Sequence, residues 1–545
     1  MAAWLRDYQW NRWLRIDVIA GISVAALLIP ESLGYAKIAG LPPEVGLYAA
    51  PLALLGYVIF GRSTVLVLAT SSSTAAVSAS IIAGMVSGKG TDPVMLSAAL
   101  ALFTGVIFVV AGLLRLGWVA NFMSKTVIEG FIVGLSISII IGQFDDLLGI
   151  EIEGENAIEK LLSVFGNIGN ADLSAMVVGI GSLLLLIGLE RFIPKLPAAL
   201  TVVILSVFYV QIFDPATLAI VGDIPQGLPS IGVPTLSASE ISGLFAGGLA
   251  VALIGFSEGY GGAVTYARKY GDRLESNQEF IAYGASNIGA SLTSGMVVGG
   301  SLSKSAANDA AGAKSQISNV VSAVLVILTL LFLAPFFESL PEATLAAVVI
   351  HALLHSADPR KLAPVWRFAR LEFWIAAGVL AAVLVLDTLP AIVLGVVISI
   401  GIVIFRVSFP QSSELGRDPE TGRLESLNIH RGAEAVPGIV VYRFEAPLFY
   451  ANAEAFATRA HDLIDAAEPE ARVLVIDCEM MFAVDYTGVE ALDGLIEDLE
   501  MKDVEIRLAR VHNDMLERIR TSGTLEAIGD EQIFDRIGDA VAKGI

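Results

Sequence analysis

The chain has 545 residues, 55% of them hydrophobic and only 16% charged, where soluble domains run at roughly 45 to 50% and about 25%. That balance excludes an ordinary soluble enzyme, and a single cysteine, Cys478, with no three-residue glycine period, excludes a disulfide-stapled secreted fold and collagen. The net charge of −21 is localised: residues 437–545 carry 23 acidic and 10 basic side chains, a net −13, which argues against nucleic-acid or anionic-lipid binding there.

In chain order, Met1 to Asp17 brings Trp4, Trp10 and Trp13 together with Arg6, Arg12 and Arg15. This reads as an amphipathic interfacial lead-in rather than a cleavable signal. Because about 20 apolar residues cross a bilayer, the sequence predicts fourteen spans at 18–37, 44–60, 70–86, 93–114, 122–142, 173–191, 198–213, 240–266, 278–293, 301–311, 316–336, 342–355, 371–387 and 389–406. Several are unusually short. Even-numbered connections hold Arg62, Arg115, Lys125, Arg191, Lys195, Arg268, Lys269, Arg273, Lys314, Arg360, Lys361, Arg367 and Arg370. The opposite loops hold only Lys37, Lys89 and Lys160, with acids such as Asp145, Asp146, Glu151, Glu153, Glu155, Asp214, Asp223, Glu338 and Glu342. The positive-inside bias therefore predicts both termini in the cytoplasm of a bacterial inner membrane.

Two short echoes suggest an internal repeat. Ser32-Leu33-Gly34-Tyr35-Ala36 resembles Ser257-Glu258-Gly259-Tyr260-Gly261. Val65 to Ala69 with Thr70-Ser71-Ser72-Ser73-Thr74 parallels Met296 to Gly300 with Ser301-Leu302-Ser303-Lys304-Ser305. A seven-plus-seven repeat follows, and since seven is odd, the second copy enters from the opposite side and the repeat is inverted.

After Arg406 the composition changes. A transport domain at 1–409 gives way to a polar linker at 410–436 and a small α/β domain at 437–545. There the pattern predicts strands at 438–444, 472–477 and 503–509, and helices at 454–467, 487–501, 513–522 and 530–542. Cys478 is expected as a buried thiol.

Spans three and ten read as half-helices that start inside the membrane, each after an extended run and opened by hydroxyl residues: Ser71, Ser72 and Ser73, then Ser301 and Ser303. Their positive dipole ends and free amides suit an anion, unless small residues merely serve helix packing. Lys304 lies in the first turn of the second half-helix, where a lone cation costs about 2.5 to 3.5 kcal/mol on insertion scales. Its partner is either a substrate anion or Glu31 or Glu258. Those two carboxylates are candidate proton carriers, although Na⁺ would use the same oxygens. His351 and His355 have the spacing of a helical metal pair without a third ligand. No nucleotide loop, nucleophile elbow or zinc signature is present, so neither an enzyme nor a cofactor is expected.

Ile29-Pro30-Glu31-Ser32-Leu33-Gly34-Tyr35-Ala36 followed by Ala39 to Tyr48, Gly300 to Asn308 followed by Ala311 to Gln316, and the C-terminal pattern together resemble the SulP sulfate-permease family, relatives of prestin and pendrin, with a STAS domain. The resemblance implies a core of spans one to four and eight to eleven, and a gate of spans five to seven and twelve to fourteen. It further implies an elevator-like movement and a homodimer. It makes Tyr35 an aromatic contact and places Ser72, Ser73, Ser303 and Lys304 against substrate. Glu31 stands where many members have Gln, and Lys304 where many have Arg, which favours proton symport and replaces a bidentate clamp by a point charge. Asp485-Tyr486-Thr487-Gly488 departs from the usual STAS loop, so helix capping is the expected role of Thr487.

The expectation is a membrane-embedded secondary transporter taking up sulfate or a small dicarboxylate with protons. Na⁺-coupled bicarbonate transport or anion exchange is the nearest alternative. A STAS-based signalling scaffold and a nucleobase carrier are rivals of other kinds.

Overall fold

The computed structural model describes residues 8–86, 92–118, 124–154, 156–193, 196–213, 215, 217–235, 238–271, 273–386, 388–430 and 432–543. Trp4, Arg6, Lys89, Glu155, Lys195 and Asp214, singled out above, lie outside the described residues. The chain folds into two compact units, Met1–Ser399 and Ile400–Ile545, a division that falls earlier than the expected 409.

The first unit is helical. Its elements are α1 (Trp10–Ile38), α2 (Pro43–Phe60), β1 (Val67–Ala69), α3 (Ser72–Val86), α4 (Pro93–Leu113), α5 (Lys125–Gly142), α6 (Phe144–Leu148), α7 (Ala157–Asn167), α8 (Leu173–Phe192), α9 (Ala198–Phe213), α10 (Ala238–Tyr270) and α11 (Ser276–Leu292). There follow β2 (Gly299–Ser301), α12 (Leu302–Ala310), α13 (Ile317–Leu328), α14 (Ala334–Phe337), α15 (Glu342–Leu354), α16 (Ala363–Phe368), α17 (Arg370–Leu386) and α18 (Thr388–Ser408), within which the division between the units falls. Each of the fourteen expected spans coincides with a helix, the eleventh being α13 and α14 joined by a π-helical turn at Thr329–Leu333, beside Pro335. Among the described residues seven helices are long and apolar enough to cross a membrane, and Ser72–Val86, Ala198–Phe213 and Val393–Ser408 are shorter apolar helices.

Local chemistry sets several helix starts. Pro43 and Pro93 occupy first-turn positions where a missing N–H does no harm. Asp92 accepts from Val94 N at 3.0 Å, and Asp172 from Ser174 N at 2.7 Å and Ala175 N at 3.0 Å. The segment between spans five and six, expected as a loop, contains α6 and α7 instead. In α7, Ile158, Leu162 and Phe165 form an exposed apolar stripe at helical spacing, which length and short apolar content hid from a span search.

Packing sorts the helices into two bodies. One gathers α2, α4, α10, α11, α12 and α13 about α1, and the other gathers α5, α6, α8, α9, α15 and α17, with α1 meeting α15 at the seam. β1 and β2 pair antiparallel, Val67 opposite Ser301 and Ala69 opposite Gly299, as an inverted repeat requires of two equivalent strands.

The second unit carries a six-stranded sheet in the order β4-β3-β5-β6-β7-β8, from β3 (Ser412–Arg417), β4 (Leu424–Ser426), β5 (Ile439–Phe444), β6 (Val473–Asp477), β7 (Glu505–Ala509) and β8 (Ile533–Phe534). The segment 410–436, expected as a linker, supplies β3 and β4. Its polar sequence masks strands that pair at the sheet edge, β3 antiparallel to both β4 and β5. β5 to β8 are parallel and joined through α19 (Ala453–Asp465), α20 (Tyr486–Glu500) and α21 (Asn513–Ser522) with α22 (Thr524–Ile528). The continuous apolar runs of β5 and β6 reflect burial of both sheet faces, one under these helices and the other under α23 (Ile537–Ala542). The single helix expected at 530–542 divides into a short 3₁₀ turn, β8 and α23, because Ile533 and Phe534 pair with β7.

Candidate functional site

The extended run that leads into α3 is held by side chains from the second half of the chain. Val67 N donates to Ser305 Oγ at 2.9 Å and Asn308 Nδ2 to Val65 O at 2.9 Å. Gln316 Nε2 reaches Ser63 O at 2.7 Å and Asn319 Nδ2 reaches Leu66 O at 2.9 Å. Asn287 exchanges two hydrogen bonds with Val298 ahead of β2. Extended backbone at membrane depth must be paired internally, and these amides do so. Gly259 and Gly300 complete the arrangement, since a Cβ on either would lie within 2.6 Å of the other's Cα, so α10 and β2 meet backbone to backbone.

At the centre, Lys304 Nζ lies 2.6 Å from Glu31 Oε2, with side chains 0% and 4% exposed. The same ammonium donates to Thr70 O at 3.0 Å and Ser301 Oγ at 3.4 Å. An ammonium has three protons, and all three have acceptors. Tyr35 stacks its ring 4.9 Å from Nζ and donates its hydroxyl to Glu31 Oε2 at 3.3 Å. Of the two carboxylates weighed for Lys304, the structure pairs it with Glu31. A buried ion pair of this kind costs about 3 to 5 kcal/mol if one partner is removed.

Glu258 instead accepts a short hydrogen bond from Ser73 Oγ. Ser71 Oγ lies 3.2 Å from Ser73 Oγ and 2.9 Å from Thr74 Oγ1. Ser301 Oγ lies 3.3 Å from Ser303 Oγ, and Ser303 is exposed while Ser72 is half-buried. No side chain caps α12, whose Ser301 end leaves first-turn amides to a ligand or to water. A cavity of about 790 Å³ reaches this region; Glu258, Tyr260, Leu302, Lys361, Lys125 and Glu129 are among its walls.

Sequence reasoning missed Thr70, whose carbonyl holds Lys304 and whose hydroxyl lies 2.8 Å from Ser32 Oγ. The Thr-Ser-Ser-Ser run marked the place, but a backbone carbonyl carries no residue signal. It also missed Asp17, which accepts from Lys314 N, Ser315 N and Ser315 Oγ and fixes the approach to α13. His351 Nε2 lies 2.9 Å from Glu190 Oε2, and among the described residues no group of three or more His, Cys, Asp or Glu is placed to hold a metal. In the second unit Asp485, not Thr487, caps α20 by accepting from Gly488 N at 2.8 Å; Thr487 is exposed.

Two half-helices facing each other across an antiparallel strand pair, with ionisable groups between them, define a membrane carrier rather than a catalytic centre. Residues 14–379 match the sulfate permease family and residues 431–540 the STAS domain. The chain is 34% identical over 540 residues to a probable sulfate transporter of Mycobacterium tuberculosis, covering 98% of this chain and 96% of that one. It is 31% identical over 555 residues to probable sulfate transporter 3.4 of Arabidopsis thaliana, covering 97% and 85%. The structure of murine Solute Carrier 26 family member A9 superposes with a TM-score of 0.90 at 24% identity, covering 99% of this chain and 92% of that chain. The transmembrane domain of the cyanobacterial bicarbonate transporter BicA gives 0.60 at 21%, covering 70% and 97%. The chain belongs to the sulfate permease family, with a STAS domain; it is a membrane transporter and not an enzyme.

Proposed function

We propose that the chain is a secondary active anion transporter of a bacterial inner membrane that takes up sulfate, or a small dicarboxylate, together with protons. It works as a homodimer, by an elevator-like movement, with both termini and the STAS domain in the cytoplasm. The names of its relatives support sulfate. The observation that carries the coupling is the saturation of Lys304 by Glu31, Thr70 and Ser301.

An anion arriving at the starts of α3 and α12 competes with the Glu31 carboxylate for the ammonium. Protonation cancels the charge of Glu31 and releases Lys304 to the anion, so proton and anion enter the site together. The substrate contacts are then Lys304, Tyr35, Ser71, Ser72, Ser73, Ser301 and Ser303. Glu258, hydrogen-bonded to Ser73 at the cavity wall, is the second coupling carboxylate.

The test is uptake into proteoliposomes with and without an imposed pH gradient. Glu31→Gln keeps shape and hydrogen bonding but cannot titrate. It should bind and exchange anions yet lose accumulation driven by the gradient. Accumulation equal to the parent's would end the assignment of Glu31, and accumulation driven by Na⁺ alone would replace protons by Na⁺ and favour bicarbonate.

A further inference from the structure

The seam between the two helical bodies is strapped by ion pairs at one end and holds the larger cavity, about 790 Å³ against about 410 Å³, at the other. Lys37, in the last turn of α1, lies 2.6 Å from Asp146 Oδ2 in α6 and 3.0 Å from Glu342 Oε2 in the first turn of α15. One cation of the first body thus holds two anions of the second. One turn earlier in α1, a Cβ on Gly34 would fall 2.5 Å from Val349 Cγ2, so α1 and α15 are in close contact just inside the strap. Three further charges stand nearby, Asp145, Glu151 and Lys160, the first and last in the small cavity that Lys37 and Asp146 also line.

The opposite end differs. α5 is about 27 Å long. Its Gly142 end lies by the strap, and its Lys125 end lines the larger cavity that reaches Glu258 and Leu302. There Lys361, on the second body, and Glu258, on the first, both line the cavity wall, and among the described residues they make no salt bridge across it.

The geometry points to Lys37, Asp146 and Glu342 as a latch that closes one end of the transport pathway while the other end is open, and that must break before the path opens at the Lys37 end. This rests on the reading of the chain as an alternating-access carrier. It does not depend on which ion or anion is carried. The three side chains are 31%, 14% and 30% exposed, so the pairs are half-wet and breakable within a transport cycle, unlike the sealed pair at Lys304.

The experiment reads thiol accessibility in lipid nanodiscs, where both faces meet a water-soluble maleimide. Native Cys478 is buried and is replaced by Ser to clear the background. Ala76→Cys reports the cavity at the latched end, and Ser257→Cys the cavity at the open end. Lys37→Ala should speed labelling at position 76 about tenfold, without speeding it at 257. Asp146→Asn with Glu342→Gln should do the same without leaving acids unpaired, and Lys37→Arg should keep the parent rates. Unchanged labelling at position 76 in both latch-breaking variants overturns the inference. So does a rise at both positions, the sign of a generally loosened fold. Because no substrate or gradient is used, a failure of the proton-coupling reading leaves this outcome untouched.

Discussion

In the transport unit Glu31 faces one ammonium at 2.6 Å, with neither side chain more than 4% exposed. In the second unit Asp477, wholly buried at the end of β6, is held by Arg443 Nε at 2.7 Å and by Arg510, whose Nε donates at 2.9 Å and whose Nη2 makes a still shorter contact. Both arginines are about a quarter exposed. The difference is one of commitment. Planar guanidinium forks that fix both carboxylate oxygens, on neighbouring parallel strands, make a permanent brace. A single point charge shared with a backbone carbonyl and a serine can exchange its carboxylate for another anion without dismantling a sheet. The helix starts differ in the same sense: α12 has no side-chain cap, while α20 has its amide filled by Asp485.

The largest expected effect breaks the comparison at Lys304. Lys304→Ala strands the Glu31 carboxylate and should lower stability by about 3 to 5 kcal/mol, most of it regained in combination with Glu31→Gln. Anion binding should be lost in both variants and partly kept in Lys304→Arg. Thermal unfolding with a binding titration checks this, and a double variant no more stable than the single would show that the pair is not what Glu31 needs. Asp477→Asn comes next, at about 2 to 3 kcal/mol. Its reporter is native: Cys478 follows Asp477, is fully buried, and has its thiol pushed up by burial and by the Asp477 charge. In the full chain it should resist alkylation until the sheet opens, and Asp477→Asn should bring that reaction to a lower urea concentration while leaving anion binding intact. Glu258→Gln is smaller still in stability, within about 1 kcal/mol, because the residue borders a cavity that water can fill. It should bind anion near the parent affinity and weaken accumulation driven by a pH gradient. Accumulation equal to the parent's would remove Glu258 from the coupling.

Much of this was legible because the strongest signals are local. Apolar runs located most of the spans, and the two hydroxyl runs located the short helices α3 and α12. Lys304 announced a buried counter-charge because an unpaired ammonium is too costly at that depth. What stayed hidden depends on distant pairing. The choice between Glu31 and Glu258 is made by which helix passes Lys304, and Thr70 contributes through its backbone. β3 and β4 hide in a polar segment because one edge of a sheet needs no apolar alternation. Lys37 read only as an exception to the charge bias, and its partners Asp146 and Glu342 lie 109 and 305 residues further along the chain.

The smallest effect sharpens the contrast between helix starts. Asp485 accepts from Gly488 N through Oδ1 at 2.8 Å and from Tyr450 N through Oδ2 at 3.0 Å, tying the start of α20 to the loop after β5. Thr487, two residues on, is exposed and inside the helix, where its hydroxyl has no first-turn amide to serve. Asp485→Ala should therefore cost about 1 kcal/mol, the usual worth of a lost cap. Thr487→Ala should change stability by no more than about 0.5 kcal/mol. Denaturation of the full chain followed by alkylation of Cys478 measures both. Equal losses in the two variants would return the capping role to Thr487 and undo the view that α20 starts on a filled amide. At α12 the matching substitution, Ser301→Ala, removes one acceptor of Lys304 and no cap, so its effect should fall on anion affinity rather than on the stability of the half-helix.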